Sequence, residues 1–185
     1  MRGHAGAINA VAFSPNNHWL ATAGGFDLTT STWDTTVRLW DLTAPDRAVQ
    51  PIILSGHEQD VTVVAFSPDT HWLVTGGSDK TVRLWDLTAP DVRATGLILH
   101  GHTEFIDAIS FSADSHWLVT GSYDHTARIW NLRPNELVDL ACRTAGRNLT
   151  DKEWSTYFPG QPYPKICPNL PPGDGVPPNA PAATP

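Results

Sequence analysis

The hydrophobic and polar positions of this chain follow one pattern that occurs three times. The stretches INAVAFSPNNHWLAT, VTVVAFSPDTHWLVT and IDAISFSADSHWLVT align position by position, and they lead to DTTVRLWDL, DKTVRLWDL and DHTARIWNL respectively. Each opening stretch is rich in β-branched and aromatic residues and then reaches a turn built from Ser, Pro, Asn or Asp. The pattern is typical of short β-strands that repeat along the chain.

Within the first unit, strands are expected over residues 8–14, 19–22, 36–41 and 49–55. The second unit repeats this arrangement and has its fourth strand at residues 97–99. The third unit has no obvious fourth strand. Four strands in a unit, with turn signals between them, predict an all-β protein.

The spacing of the units is regular. Gly-His pairs begin at Gly3, Gly56 and Gly101, and the last two are followed 29 positions later by tryptophan. The underlying period is 45 residues, and the first unit has 53 because 8 residues are inserted between Gly24 and Asp34. Turn tips tolerate insertions because little core packing depends on them. The repeats are therefore expected at residues 1–55, 56–100 and 101–133.

The units resemble those of the WD40 family, which carry Gly-His near the start and Trp-Asp near the end. The matching pairs are Gly3-His4 with Trp40-Asp41, Gly56-His57 with Trp85-Asp86, and Gly101-His102 with Trp130-Asn131. Asn131 departs from the pattern but keeps the size and the acceptor oxygen of Asp. The resemblance covers residues 1–133 and implies blades of a β-propeller.

A His, a Thr, an Asp and a Trp occupy matching positions in every unit. A hydroxyl with His and Asp suggests nucleophilic catalysis, but an enzyme needs one such site and this chain has three in register. The resemblance implies instead a buried relay of hydrogen bonds from Trp through Thr and His to Asp, with Ser78 as the alternative hydroxyl in the second unit. The members are His4, Thr22, Asp34 and Trp40; His57, Thr75, Asp79 and Trp85; His102, Thr120, Asp124 and Trp130.

Recurring His-Trp pairs at residues 18–19, 71–72 and 116–117 offer a second group of candidates. We expect each Trp to pack between neighbouring sheets and each His to lie at the surface. A zinc site would need ligands from several blades, and no third or fourth ligand accompanies His100 and His102. Neither a metal nor another cofactor is expected.

Residues that vary between the units at predicted loop positions are the candidates for a binding face, because the rims of a rigid frame carry recognition. They are Glu58, Asp60, Lys80, Glu104, Asp107 and His125. The inserted loop, residues 25–33, has Phe26 and Trp33 near its ends. It either anchors a partner through its aromatic residues or folds back onto its own blade.

The C-terminal part has a different character. Residues 134–145 predict a short helix, and the capping box at residues 150–153 predicts a second one that ends near residue 160. The Pro-rich residues 161–185 have the composition of a disordered tail. Cys142 and Cys167 either pair or remain free thiols, and a reducing compartment favours the thiols.

The stretch LACRTAGRNLTDKEWSTYFPGQPYPKICPNLP is similar to a segment that follows WD40 repeats in some large bacterial proteins. In those proteins the repeats often follow a signalling or NTPase module. This resemblance implies a bacterial, signalling-related protein.

Composition narrows the possible functions. The net charge of −7 argues against sequence-independent binding to a nucleic acid. No apolar stretch is long enough to span a bilayer, and the first residues lack the apolar core of a signal peptide. We therefore expect a cytoplasmic protein that binds neither nucleic acid nor membrane.

Three units are fewer than the four to eight blades of closed propellers. An open arc would leave an apolar face at each end, and such faces invite association. We favour a fragment of a larger propeller, because the first unit begins mid-pattern at its Gly-His pair. The alternatives are self-association that closes a ring and a tail that covers the open face.

The resulting functional prediction is a non-catalytic protein–protein interaction scaffold that binds a protein or peptide. The alternative is the ligand-sensing regulatory end of a signalling enzyme whose NTPase or kinase domain lies upstream. The chain shows no Gly-rich phosphate loop, no unique pair of carboxylates and no unique Cys-His pair, so we do not expect it to be an enzyme. The gene sequence upstream of Met1 would discriminate between these two hypotheses.

Overall fold

The computed structural model describes residues 3–44, 50–133 and 150. Each repeat forms one antiparallel sheet, called a blade here. The first blade contains β1 (Ile8–Phe13), β2 (Trp19–Gly24), β5 (Val37–Asp41) and β6 (Ile52–Leu54), in this spatial order. The inserted residues form a separate two-stranded hairpin of β3 (Phe26–Asp27) and β4 (Thr32–Trp33).

The second blade contains β7 (Val61–Phe66), β8 (Trp72–Gly77), β9 (Val82–Asp86) and β10 (Leu97–Leu99), with a single 3-10 turn at Val92–Ala94 before β10. The third blade contains β11 (Ile106–Phe111), β12 (Trp117–Ser122) and β13 (Ala127–Asn131). Residues 101–133, all of which are described, include these three strands and no fourth.

The prediction of an all-β protein is confirmed for the described residues. The strand bounds differ in detail: β2 continues to Gly24, two residues beyond its predicted end, and β6 is limited to Ile52–Leu54. The 3-10 turn was not predicted. Apart from Thr150, the expected helices over residues 134–160 lie outside the described residues, as do the expected Pro-rich tail over residues 161–185 and both Cys142 and Cys167.

The same type of turn joins the first two strands of every blade. In the first blade the Ser14 hydroxyl accepts the backbone N–H of Trp19 at 2.8 Å, and Asn16 accepts that of His18 at 3.0 Å. Asn17 has a φ of 58°, in the left-handed region that Asn tolerates better than most residues. Thr70 and Ser115 adopt the same conformation, so their backbones carry a local strain that the surrounding hydrogen bonds offset.

The first strand of every blade contains a β-bulge near its start. The register shifts between Ile8 and Ala10, and equivalent shifts occur in β7 and β11. A bulge leaves one residue outside the regular ladder and redirects its side chain. In the first blade that residue is Asn9, whose amide donates to the carbonyl oxygen of Val61 in the second blade at 3.2 Å. In the second blade Thr62 donates in the same way to the carbonyl oxygen of Ile106.

The hydrophobic core lies between blades. Ala21 and Leu39 of the first blade belong to one buried cluster with Val61 and Val64 of the second. The second and third blades approach closely at Gly76, where an added Cβ would lie 2.6 Å from the side chain of Ile106. Each blade therefore buries its apolar faces only by stacking on a neighbour, as repeat architectures generally do.

Candidate functional site

The relay in the second blade connects four side chains in a continuous line. The Trp85 indole donates to the Thr75 hydroxyl at 3.1 Å, and that hydroxyl donates to Nε2 of His57 at 2.8 Å. Nδ1 of His57 in turn donates to Asp79 at 2.9 Å. With a neutral imidazole protonated on Nδ1, every donor and acceptor along this line is satisfied.

The other two blades repeat these contacts. In the first blade, the Trp40 indole nitrogen lies 3.0 Å from the Thr22 hydroxyl, which lies 2.8 Å from Nε2 of His4. Nδ1 of His4 lies 2.7 Å from the Asp34 carboxylate. In the third blade the corresponding distances, along Trp130, Thr120, His102 and Asp124, are 3.0, 2.9 and 2.8 Å. The structure thus brings together all twelve residues that the sequence singled out for the relay, and Thr75 rather than Ser78 supplies the hydroxyl in the second blade.

The Asp at the end of each relay also orders the backbone around it. Asp79 accepts the N–H of Glu58 at 2.9 Å and the N–H and hydroxyl of Thr81 at 3.0 and 2.8 Å. Burial alone would raise the pKa of Asp79, but the hydrogen bond and electrostatic attraction of His57, together with these other donors, lower it. The carboxylate therefore stays charged and joins the Gly-His loop to the turn between β8 and β9.

Burial and hydrogen bonding also have opposite effects on the pKa values of the other two relay carboxylates. For Asp34, burial opposes ionisation, and hydrogen bonds from Thr36, His4 and the Ala5 N–H outweigh it, so the pKa is lowered. For Asp124, the Thr126 hydroxyl has the largest effect, and His102 adds to it against burial, so the pKa is again lowered.

The relay hydroxyls are closed to any substrate. Thr75 and Thr120 are fully buried, Thr22 is buried as well, and each hydroxyl is occupied by a Trp donor and a His acceptor. A catalytic nucleophile must reach a reacting atom, and these hydroxyls cannot. The arrangement can hold a blade in shape but has no open position for chemistry.

An arginine covers each Gly of the Gly-His pairs, a feature that the sequence analysis missed. Arg83 donates to the carbonyl oxygen of Gly56 at 2.6 Å, and Arg38 donates to that of Gly3 at 2.5 Å. Gly56 has a φ of 146°, and a Cβ there would clash with the Arg83 guanidinium. Glycine is required at this position because its backbone is left-handed and because the guanidinium lies directly on it. The repeated VRLW and ARIW segments were the signal that could have revealed this contact.

Most of the predicted binding residues lie at one end of the blades, which we call the relay end. It consists of the Gly-His loops and the turns that follow β2, β8 and β12. In each blade one backbone hydrogen bond joins these two segments. The N–H of Gly25 donates to the carbonyl oxygen of Ala7 at 2.8 Å, that of Ser78 to Asp60 at 2.9 Å, and that of Tyr123 to Phe105 at 3.1 Å. The candidate residues found here are Phe26, Trp33, Glu58, Asp60, Lys80, Glu104 and His125.

The charged candidates differ in their surroundings. Lys80 forms an exposed ion pair with Glu104 at 3.3 Å, which joins the second and third blades. Glu58 and His125 are exposed, whereas Asp60 is half-buried and accepts the Asn9 amide at 3.1 Å. Asp60 therefore contributes to the contact between the first two blades more than to an open surface.

Asp107 corrects one prediction. It was expected in a loop, but it lies in β11, at the bulge position that Asn9 and Thr62 occupy in the other blades. Its side chain is exposed. The alignment of Asp107 with Asn9, which lies inside the expected strand over residues 8–14, was the signal that could have placed it in β11.

The inserted loop is a hairpin that is bonded to its own blade at its base and exposed at its tip. Gly25 and Phe26 pair with Ala7, and the rings of Phe26 and Trp33 pack against each other with centroids 4.5 Å apart. Trp33 is 51% exposed, and Leu28, which the sequence analysis did not single out, is 86% exposed. The base of the loop is thus bonded to its own blade, and anchoring of a partner stays a prediction.

The His-Trp pairs of the first and second blades are stacked. The rings of His18 and Trp19 are 4.5 Å apart and nearly parallel, and those of His71 and Trp72 are 4.8 Å apart. Trp19 packs against the core between the first two blades, while His18 lies 3.2 Å from Asp41 near the surface.

Within residues 3–44 and 50–133, no group of three or more His, Cys, Asp or Glu side chains is placed to hold a metal ion. In the same part of the chain, no helix is long and apolar enough to cross a bilayer.

Comparisons with known proteins agree with this geometry. The family model described as "WD domain, G-beta repeat" matches residues 1–41, 49–86 and 94–131. The solved structure described as "Structure of U3-55K" superposes with a TM-score of 0.57 at 20% sequence identity, covering 71% of this chain and 38% of that one. At this identity the likeness concerns the fold alone.

Similar curated proteins align over smaller regions. The maize guanine nucleotide-binding protein subunit beta is 38% identical over 74 residues, which is 40% of this chain and 17% of that protein. The Polycomb protein EED of Chaetomium thermophilum is 34% identical over 79 residues, which is 40% of this chain and 13% of that protein. The chain spans less than one fifth of the length of these relatives. Because the repeat model matches more than half of the chain, and because each match contains one complete relay, this protein belongs to the WD40 repeat family.

Proposed function

We propose that this chain is a non-catalytic scaffold that binds a protein or peptide at its relay end. The observation that carries the proposal is that one end of all three blades gathers the variable loops and the inserted hairpin on a backbone ordered by the relay. Rigid frames that present variable loops are suited to recognition, because little conformational entropy is lost on binding. By its name, the maize relative is a subunit of a larger protein, which agrees with a role in protein contacts.

The chemistry of this end favours a partner with basic and apolar groups. Glu58 is exposed, and Glu104 is only partly neutralised by its surface pair with Lys80, so the rim offers carboxylates to a partner although Arg38 and Arg83 also lie at the Gly-His loops. The hairpin adds exposed apolar surface at Leu28 and Trp33. We therefore propose that Trp33 and Leu28 are the apolar anchors and that the rim carboxylates select a basic segment.

The test uses a phage-displayed library of random peptides, selected on the purified full chain. Enriched peptides are synthesised, and their affinities are measured by isothermal titration calorimetry for the unaltered chain and for Leu28→Ser and Trp33→Ser. We expect enriched peptides to combine Lys or Arg with aromatic or aliphatic residues. Each variant should weaken their binding at least tenfold, or about 1.4 kcal/mol.

Leu97→Ser is the matched control, because Leu97 is also exposed, at 57%, but lies in β10 at the outer edge of the second blade. It should change the affinity less than twofold. Equal binding by all variants, or a selection that enriches no peptide, would contradict the proposal. The expectations that the repeats belong to a longer protein and that the protein is cytoplasmic stay predictions.

A further inference from the structure

One backbone hydrogen bond of the relay end has the same position in every blade but joins different residues. The pairs are Ala7 with Gly25, Asp60 with Ser78, and Phe105 with Tyr123. The residue just before the first member of each pair is Gly6, Gln59 and Glu104, respectively. The relay, by contrast, uses the same four residue types in all three blades. The blade frame therefore does not require aromatic rings at the paired positions or a carboxylate just before them, and among the described blades only the third combines them.

The rings of Phe105 and Tyr123 stack on each other at the surface. Their centroids are 3.9 Å apart, and their planes differ by 22°. Phe105 is half-buried, whereas Tyr123 is 55% exposed, so Phe105 supports one face of a ring that is otherwise largely open to solvent. The face of a tyrosine ring carries partial negative charge and attracts cations. The sequence analysis singled out neither residue, yet the pair is suited to stack a planar cation.

Glu104 is held beside the aromatic pair. Its carbonyl oxygen accepts the Ser122 hydroxyl at 2.9 Å, next to the backbone bond between Phe105 and Tyr123. Lys80 donates to Oε1 of the Glu104 carboxylate at 3.3 Å, and nothing in the described part of the chain donates to Oε2. The two side chains are 48% and 50% exposed, and exposed ion pairs contribute little to stability. The carboxylate can therefore accept a second cation.

We propose that Tyr123, stacked on Phe105, and Glu104 form a subsite for an arginine side chain of the partner. A guanidinium is planar, so its face can stack on the Tyr123 ring while the N–H groups at its edge donate to Oε2 of Glu104. A lysine ammonium is a compact charge without such a plane, so it cannot make both contacts equally well. The inference rests on the proposed function, because it names the residue that the basic segment presents to the third blade.

The first experiment labels the full chain with 3-fluorotyrosine, which gives one fluorine NMR signal for each of the three tyrosines. The Tyr123 signal is identified by its loss in Tyr123→Phe. The probes are three capped peptides, Gly-Gly-Arg-Gly-Gly, its lysine counterpart and its citrulline counterpart. Because these peptides have no apolar side chain to reach the hairpin, they report on the subsite alone.

The arginine peptide should shift the Tyr123 signal along a saturable curve. Its dissociation constant should be lower than that of the lysine peptide by about threefold or more, because only the guanidinium stacks and pairs at once. Citrulline has the same planar shape without the charge. Its peptide should bind at least about tenfold more weakly than the arginine peptide.

A charge variant tests the carboxylate. Glu104→Gln keeps the shape of the side chain, and it should weaken binding of the arginine peptide by about threefold or more and reduce its advantage over the lysine peptide. Asp107→Asn is the matched control, because it removes one charge from an exposed carboxylate of the same blade that lies in β11. Since solvent screens exposed charges, this variant should change the affinity by less than about twofold.

Two variants of Tyr123 separate stacking from simple apolar contact. The proton signals of the arginine δ-methylene group, followed in the peptide, measure the affinity of both. Tyr123→Phe keeps the ring and should bind the arginine peptide as the unaltered chain does. Tyr123→Leu keeps an apolar side chain without a ring face, and its affinity should fall between about threefold and tenfold. Tryptophan circular dichroism in the near ultraviolet should be the same for both, since the position is exposed.

Equal affinities for the arginine, lysine and citrulline peptides, or a Tyr123 signal that none of them shifts, would overturn the inference. Equal binding of the arginine peptide by Tyr123→Leu and Tyr123→Phe would do the same. The proposed function fails on a different result, namely selected peptides whose binding does not depend on Leu28 or Trp33. The two failures are therefore distinguishable.

Discussion

Nδ1 of His57 donates a hydrogen bond of 2.9 Å to Asp79, which lies 22 residues later in the chain. The same carboxylate oxygen accepts the backbone N–H of Glu58 at 2.9 Å. One side chain therefore connects the relay inside the blade with the loop at its rim. Loss of the buried relay is expected to loosen the surface that we propose for partner binding.

The first prediction concerns the hydroxyl at the centre of the relay. Thr75→Val keeps the shape of the side chain but leaves the Trp85 indole and Nε2 of His57 without their buried partner. Each unpaired buried group costs on the order of 1–3 kcal/mol. We expect a loss of that order or larger in the free energy of unfolding, measured by urea denaturation with tryptophan fluorescence as the signal.

Thr75→Ser is the matched variant, because it keeps the hydroxyl and removes one methyl group. It should cost about 1 kcal/mol, mainly through lost packing. If Thr75→Val and Thr75→Ser lower the free energy of unfolding equally, the hydrogen bonds of Thr75 contribute nothing to stability.

The second prediction concerns the dependence of stability on pH. The pKa values of Asp34, Asp79 and Asp124 are lowered in the folded protein relative to their ordinary value of 3.8. Below that value the unfolded chain takes up protons that the folded chain does not, so stability falls as the pH falls. The contribution of these groups is fully present above pH 5 and is lost progressively as the pH falls below 4 toward their folded pKa values.

Asp79→Asn tests the sign of this effect. The variant is expected to be less stable at pH 7, because the charged partner of His57 is gone, but its stability should fall less steeply between pH 5 and pH 3. Urea denaturation at several pH values would show this as converging curves for the two proteins. Parallel curves would mean that Asp79 takes up its proton equally in the folded and unfolded chains.

The third prediction concerns the inserted hairpin. Deletion of residues 26–33 shortens the turn between β2 and β5 to the length that the second blade has between β8 and β9. Since the hairpin stands outside the ladder of the first blade, the deletion should change the free energy of unfolding by no more than about 1 kcal/mol. Binding of the selected peptides should nevertheless be lost.

Thermal unfolding followed by circular dichroism would measure the stability of the deletion variant. Isothermal titration calorimetry with the selected peptides would measure its binding. A deletion variant that fails to fold would show that the Phe26–Trp33 pair supports the blade. A variant that folds and binds normally would remove the hairpin from the proposed site.

The relay was predictable because it depends on distances within one unit. His and Thr are 18 positions apart in every copy, and Thr and Trp are 10 positions apart except in the first unit, where the insertion makes this separation 18. The strand register that brings them together is set by the same repeat. The choice between Thr75 and Ser78 was not settled by spacing. The structure shows that Thr75 lies two positions after Leu73, the residue opposite Trp85 in the ladder, so Thr75 and Trp85 share a face of the sheet and the hydroxyl meets the indole.

The positions of Asp107 and of the inserted loop were harder to predict from the sequence. Asp107 lies in β11 rather than in the expected loop, although its alignment with Asn9 already pointed to a strand; only the structure shows that it occupies a bulge. The inserted residues contain only two short strands, so their pairing depends on the aromatic contact between Phe26 and Trp33 and on hydrogen bonds to Ala7.

The sequence by itself determined the three units and most of their strands, because these follow from the period, and the members of each relay followed from the resemblance to WD40 repeats. Only the tertiary structure decided that Asn9 and Thr62 bond to the next blade and that Val11 and Ile129 stay exposed while their counterparts are buried. The physical reason is that a strand pattern specifies which side chains share a face. Whether that face is buried depends on a second sheet, whose contacting residues lie about fifty positions away in the chain.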